Sequence, residues 1–280
     1  MQYDYPTCES IGLLKVDFLG LSTLTVLRRT ADLIKKRHGI EYNLSNIPLE
    51  DPEAFKLMGK GECTGLFQID GQGMRKFLRQ MKPNKFEHIV AMLALYRPGP
   101  MQYIPNYIAR MHGEEEVEYR HPALEPILSF TYGIIVYQES IMRIATDLCG
   151  YSGQEADYMR SAVSKKKEKE IAHHRDLMIA GATKNGIPEE TMGLIYDDIE
   201  KFASYGFNQA HASDYAMVTC ATAFMKTHYA PEFMTALLSV EHNNQDKIGI
   251  LLTECRKLGF KIVAPDINRS EYDFTVVGGI

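Results

Sequence analysis

Near the start of the chain, in Gly12-Leu13-Leu14-Lys15-Val16-Asp17-Phe18, apolar Leu14, Val16 and Phe18 alternate with charged Lys15 and Asp17. A period of two predicts a half-buried strand with Lys15 and Asp17 projecting from the same face. Gly20 turns the chain, and Leu24, Leu27, Ala31 and Ile34 then recur at helical spacing until Gly39. Lys35 to His38 set positive charge at the negative end of that helix dipole. Beyond this the apolar period is helical almost throughout. It predicts helices over 71–81, 87–95, 138–148, 154–163, 165–184, 188–202, 212–228, 231–241 and 245–258. Lys261-Ile262-Val263 and Phe274-Thr275-Val276-Val277 read as short strands. Glycine and proline are scattered as punctuation, and no repeat or linker interrupts the pattern. The expectation is a mainly α fold with a few short β-strands. The last residues, Gly278-Gly279-Ile280, read as a cut end, not a finished one.

Composition narrows the class. With 280 residues, 45% hydrophobic and 24% charged, the chain has the make-up of a folded soluble protein, which excludes a disordered tail, a collagen-like fibre and a coiled coil. No apolar run reaches the roughly 20 residues needed to span a bilayer, and Met1-Gln2-Tyr3-Asp4 has neither a basic nor an apolar leader. Membrane insertion and export are therefore not expected. The five cysteines, Cys8, Cys63, Cys149, Cys220 and Cys255, are odd in number and widely spread, with no CxxC pair. They read as reduced thiols of a cytoplasmic protein, with a zinc site assembled from distant residues left open. A net charge of -5 excludes a uniformly cationic surface for nucleic acid, so any such surface is local.

Charge is unevenly placed. Basic runs occur at Arg28-Arg29 with Lys35-Lys36-Arg37, at Arg75-Lys76-Arg79-Lys82-Lys85, and at Arg160 with Lys165-Lys166-Lys167-Lys169. Each suits a polyanion or simply a solvated helix face. Lys15 and Asp17 on one strand face, ahead of a Gly turn, suit a divalent metal and the phosphate it neutralises, or an ordinary solvated pair. Arg97-Pro98-Gly99-Pro100 holds an arginine at a rigid turn, where it can meet a phosphate with little entropy loss or stay in water. Met159 and Val163 mark the packing face of one helix, while Arg160, Ser164 and Lys167 share another that can face a polyanion or solvent. Were a helix to run from Asn208, then Asn208, His211 and Tyr215 would line one face beside small alanines. Such a row can read a base pair or cover a nucleotide; His211 can equally be structural, and the alanines serve close packing.

At these residues a resemblance emerges. Gly12-Leu13-Leu14-Lys15-Val16-Asp17-Phe18-Leu19-Gly20-Leu21, Thr64-Gly65-Leu66-Phe67-Gln68 and Ala94-Leu95-Tyr96-Arg97-Pro98-Gly99-Pro100-Met101 resemble the C family of bacterial replicative DNA polymerases, the DNA polymerase III alpha subunits. So do Gly133-Ile134-Ile135-Val136-Tyr137-Gln138-Glu139, Ala156-Asp157-Tyr158-Met159-Arg160, and Tyr205-Gly206-Phe207-Asn208 with His211-Ala212. The resemblance runs in order over essentially the whole chain.

What it implies is a fragment. Residues 1–38 would be the C-terminal part of the palm, a terminal strand and helix, and 39–280 a multi-helix fingers domain truncated at its C-terminal end. Asp17 would be the third catalytic carboxylate and a Mg²⁺ ligand. Lys15, Arg97, Arg160, Lys165 and Lys166 would be cations for the triphosphate, and Asn208, His211 and Tyr215 would lie near the nascent base pair. The implied partners are primer-template DNA and an incoming dNTP; a sliding clamp and a proofreading subunit would bind regions outside this fragment. The family's other two catalytic aspartates lie in an upstream Pro-Asp-x-Asp-x-Asp-Phe run, and no Asp-x-Asp occurs in this sequence. The fragment alone is therefore expected to be inactive. Where the family commonly has paired arginines the chain has Arg160-Ser161, so the second cation's role is either lost or passed to Lys165 or Lys166. The alternatives are a non-catalytic nucleic-acid-binding helical module and a purely structural helical protein.

Overall fold

The computed structural model describes residues 2–14, 16, 18–164, 168–203 and 205–277. Their regular structure is helical: α1 (Tyr5–Ser10), α2 (Ser22–His38), α3 (Pro52–Gly59), α4 (Gln72–Met81), α5 (Phe86–Leu95), α6 (Ile104–Met111), α7 (Glu125–Leu128), α8 (Gln138–Cys149), α9 (Gly153–Ser164), α10 (Glu168–Lys184), α11 (Glu189–Ala203), α12 (Gln209–His228), α13 (Ala230–Val240) and α14 (Gln245–Lys257). Local chemistry sets many of these ends. Asp51 caps α3 by accepting from Ala54 N at 2.7 Å, with Pro52 opening the helix, and Gly39 closes α2 in the left-handed region.

The expected strands are a correction. Among the described residues no strand forms: those of 12–18, 261–263 and 274–277 are irregular or turn. The alternation was real, but a strand needs a neighbour to receive its backbone bonds and cover its apolar face. Here Leu14, Phe18 and Leu19 stand 87%, 92% and 94% exposed.

Two apolar cores organise the helices. The first joins α2 to α6 with α12, α13 and α14; the second joins α7 to α11, and Phe202 packs against both. Helix α12 is the axis of the first, packed on α2, α3, α5 and α13. Its fully buried Ala212, Ala216 and Ala223 let neighbouring backbones approach closely, the packing role expected of the alanines.

Two buried ion pairs tie helices to this axis. Lys226 Nζ donates to Glu254 Oε1 at 2.7 Å and to the backbone oxygens of Glu62 and Thr64 at 2.8 and 2.9 Å, joining α12, α14 and the loop after α3. Glu232 of α13 accepts from Arg37 Nε at 2.7 Å and lies 2.9 Å from His38 Nε2. Burial alone would raise the Glu232 carboxyl, but the bonds from His38 and Arg37 outweigh it and hold the group below its ordinary value.

Candidate nucleotide and nucleic-acid interface

The site grows from a crossing of two segments distant in sequence. Tyr137 and Phe207 form an isolated parallel bridge; Gln138 N donates to Phe207 O at 2.9 Å and Phe207 N to Val136 O at 3.1 Å. The first segment opens α8 and the second leads into α12. Glu139 fastens them, its Oε1 accepting from Asn208 Nδ2 and its Oε2 from Gln209 N, both at 2.9 Å. Asn208 Oδ1 in turn accepts from His211 N at 2.8 Å. Asn208 is thus the N-cap of α12, which begins at Gln209, and its side chain satisfies backbone and carboxylate groups at the helix start.

From this cap a row of π faces runs along the surface. Arg97 Cζ lies 4.3 Å from the Phe207 ring centroid. Phe207 and His211 are 5.6 Å apart, His211 and Tyr215 4.4 Å, and Tyr215 and Phe67 5.3 Å. His211 is exposed and the other three rings are half-buried. Phe67 is fixed through its backbone: its N donates to Thr222 Oγ1, and Thr219 Oγ1 donates to its carbonyl, each at 3.2 Å.

Arg97 is held as the rigid turn required. Its Nε donates to Ala94 O at 2.9 Å and its Nη2 to Tyr205 O at 2.7 Å. Burial lowers its pKa from the ordinary value, yet a guanidinium remains charged at neutral pH. Gly99, at φ +99°, sits beneath the Tyr205 ring, where a Cβ would lie 2.4 Å from Tyr205 Cε1, so only glycine admits this contact. Arg160 lies on the far side of the crossing, its Nη1 3.3 Å from Gln138 Oε1. Its Nε and Nη2 bind Asp157 Oδ1 at 2.9 and 2.8 Å.

The fold therefore gathers Arg97, Arg160, Asn208, His211 and Tyr215 about one crossing, although more than a hundred residues separate the first from the last. Lys15, Asp17, Lys165 and Lys166 lie outside the described residues, as does Lys167. Reasoning from sequence missed Phe67, Phe207, Glu139 and Asp157. All four stood inside motifs already singled out, but apolar spacing alone could not tell a surface ring from a core ring.

Other candidate chemistry recedes. The basic run of α2 is matched carboxylate by carboxylate: Arg28 with Asp32, Arg29 with Asp273, Lys35 with Glu41, Lys36 with Glu271 and Arg37 with Glu232. All five cysteines are free. Burial pushes the Cys63 thiol up to about 11 and those of Cys149 and Cys220 to about 12, which suppresses the nucleophilic thiolate. Clefts of about 620 and 530 Å³ lie elsewhere, one along α2 and the segment 41–47, one between the two cores, and neither contains Arg97, Arg160, His211 or Tyr215. A smaller cleft of about 310 Å³ abuts the crossing, lined in part by Glu139 and Gln209. No described helix is long and apolar enough to cross a membrane.

Metal chemistry was tested against the side chains present. Among the described residues no three His, Cys, Asp or Glu side chains come together to hold an ion. With Asp17 the one ligand that the resemblance assigns, these residues do not fit a complete metal site.

Residues 23–186 match the family described as the bacterial DNA polymerase III alpha subunit finger domain. The DNA polymerase III subunit alpha of Thermus aquaticus is 46% identical over 99% of this chain and 23% of its own length. That of Aquifex aeolicus is 46% identical over 99% of this chain and 24% of its own, and that of Bacillus subtilis 45% identical over 99% and 25%. The chain thus spans about a quarter of the length of the curated relatives it matches. An arginine-and-aromatic face on a two-core helical body, carried by a sequence that matches this profile over more than half its length, leads to one conclusion: the chain belongs to the family of bacterial DNA polymerase III alpha subunits, in their finger region.

Proposed function

We propose that this chain is the nucleotide- and template-facing part of a replicative DNA polymerase. Residues 1–38 contribute the closing segment of the palm and 39–280 the fingers. The observation that carries this reading is the surface row Arg97, Phe207, His211, Tyr215 and Phe67. Phosphoryl transfer asks little covalent chemistry of a protein and much positioning and charge neutralisation. Arg97 offers Nη1 to a phosphate, with its other donors holding the guanidinium in place. Arg160 supplies a second guanidinium once its bonds to Asp157 are exchanged for phosphate oxygens, with Lys15, Lys165 and Lys166 as further cations. The rings of His211 and Tyr215 offer faces on which a base or its pair can stack, and Asn208 acts through them by capping their helix.

Mg²⁺ belongs to this reading through Asp17, with the remaining ligands supplied by polypeptide outside this chain. Primer-template DNA and a deoxynucleoside triphosphate are the partners; clamp and proofreading contacts fall to other regions of a full-length subunit.

Arg97→Ala, placed in a full-length polymerase carrying this segment, is expected to raise KM for the deoxynucleotide about 10- to 100-fold. That is the equivalent of a charge-assisted hydrogen bond of about 1.5–3 kcal/mol. Affinity for primer-template DNA should change little. Steady-state single-nucleotide incorporation measures the first and fluorescence anisotropy the second. An unchanged KM, or a loss confined to DNA affinity, would remove Arg97 from the nucleotide site and favour a binding module indifferent to nucleotide.

A further inference from the structure

Among the described residues, the basic run around α4 is only partly matched by carboxylates. Arg75 pairs with Asp70. Lys60, Lys76, Arg79 and Lys82, by contrast, are exposed and form no ion pair among the described residues. They form one face. Arg79 Nε donates to Lys60 O at 3.2 Å, and Gly59 lies against Lys82, whose Cα would be 3.4 Å from a Cβ there. Arg79 is also preset: its guanidinium lies across Gly61, at φ +73°, where a Cβ would meet Nε at 2.5 Å. An arginine laid over a bare backbone loses little freedom on binding an anion.

This face adjoins the aromatic row. Asp70, three residues beyond Phe67, holds Gly65 N at 3.2 Å and Arg75 of α4, and Phe77 of α4 packs its ring 6.0 Å from that of Tyr96, beside Arg97. Helix α4 then rises about 15 Å to Lys82, roughly four phosphate steps of one strand at about 3.4 Å each. Stacking faces followed by a cationic track are the two elements that hold single-stranded nucleic acid.

We infer that Lys60, Lys76, Arg79 and Lys82 form a phosphate-backbone track for single-stranded DNA leaving the aromatic row. Only the identification of the polyanion as DNA rests on the proposed function. The test titrates a fluorescein-labelled 20-nucleotide oligothymidylate with this chain across a salt series. The K60Q/K76Q/R79Q variant should bind at least tenfold more weakly at low salt. Its plot of log K against log salt should be shallower by about 2, since each lost phosphate contact removes about 0.7 on single strands. G61A, which obstructs the Arg79 guanidinium without altering charge, should weaken binding with little change in helix content by circular dichroism. Unchanged affinity and slope in the triple variant would overturn the inference. So would a loss seen with a blunt duplex but not with oligothymidylate, or competition by polyglutamate as effective as by unlabelled oligothymidylate. The proposed function fails separately: the Arg97→Ala experiment reads nucleotide KM, which the triple variant should leave unaltered.

Discussion

Lys226→Met is expected to lower the unfolding free energy by about 3–5 kcal/mol, the cost of leaving one member of a buried ion pair without its partner. The Lys226 side chain is 1% exposed and that of Glu254 10%, so water cannot replace the lost ammonium. The substitution also strips a donor from the carbonyls of Glu62 and Thr64. Urea denaturation followed by circular dichroism measures the change. The double variant Lys226→Met/Glu254→Leu should recover a large part of it, because it removes the stranded charge as well, while the two carbonyls keep it below the parent. A loss under about 1 kcal/mol in the single variant would show that the pair does not carry the junction of α12, α14 and the 62–68 loop.

Asp17→Asn, in a full-length polymerase carrying this segment, is expected to reduce primer extension on the order of 10³-fold or more. Were Asp17 to hold a metal that neutralises charge on the phosphoryl group, its loss would remove several kcal/mol of stabilisation, and each 1.36 kcal/mol is a factor of ten in rate. Affinity for primer-template DNA should persist, since asparagine keeps the shape and removes a negative charge. This 280-residue chain, supplied with Mg²⁺ and four deoxynucleotides, should extend no primer, because it has no Asp-x-Asp to complete the ligand set. Gel-resolved extension reads both. Near-normal extension by the variant would take Asp17 out of the metal site, and extension by the chain alone would show that its own carboxylates suffice.

The helices were largely legible, and the exceptions have local causes. The amphipathic runs of α2, α4, α8 and α11 are legible because their apolar period persists over several turns. Helices α1, α3, α6 and α7 lie outside the expected set because each is short and opens with a proline at its first or second position, which reads as a break. Asp51-Pro52, a capping carboxylate followed by proline at the first helical position, was a sufficient signal for α3. Among the described residues of 12–18 no strand forms, for the opposite reason: alternation shows which side chains share a face, but pairing is a property of two segments, not one.

The site divides in the same way. The order and spacing of residues carried the resemblance, the rigid Arg97 turn and the polar row of α12, because these depend on side chains and backbone limits within one segment. Tertiary structure decided that Asn208 caps a helix while His211 and Tyr215 present their rings, and that α2's cations are paired while Lys76 and Arg79 of α4 form no ion pair among the described residues. Those outcomes turn on which carboxylates and aromatic faces arrive from elsewhere in the chain. Coulombic pairing and ring stacking act over a few ångströms of space, whatever the distance in sequence.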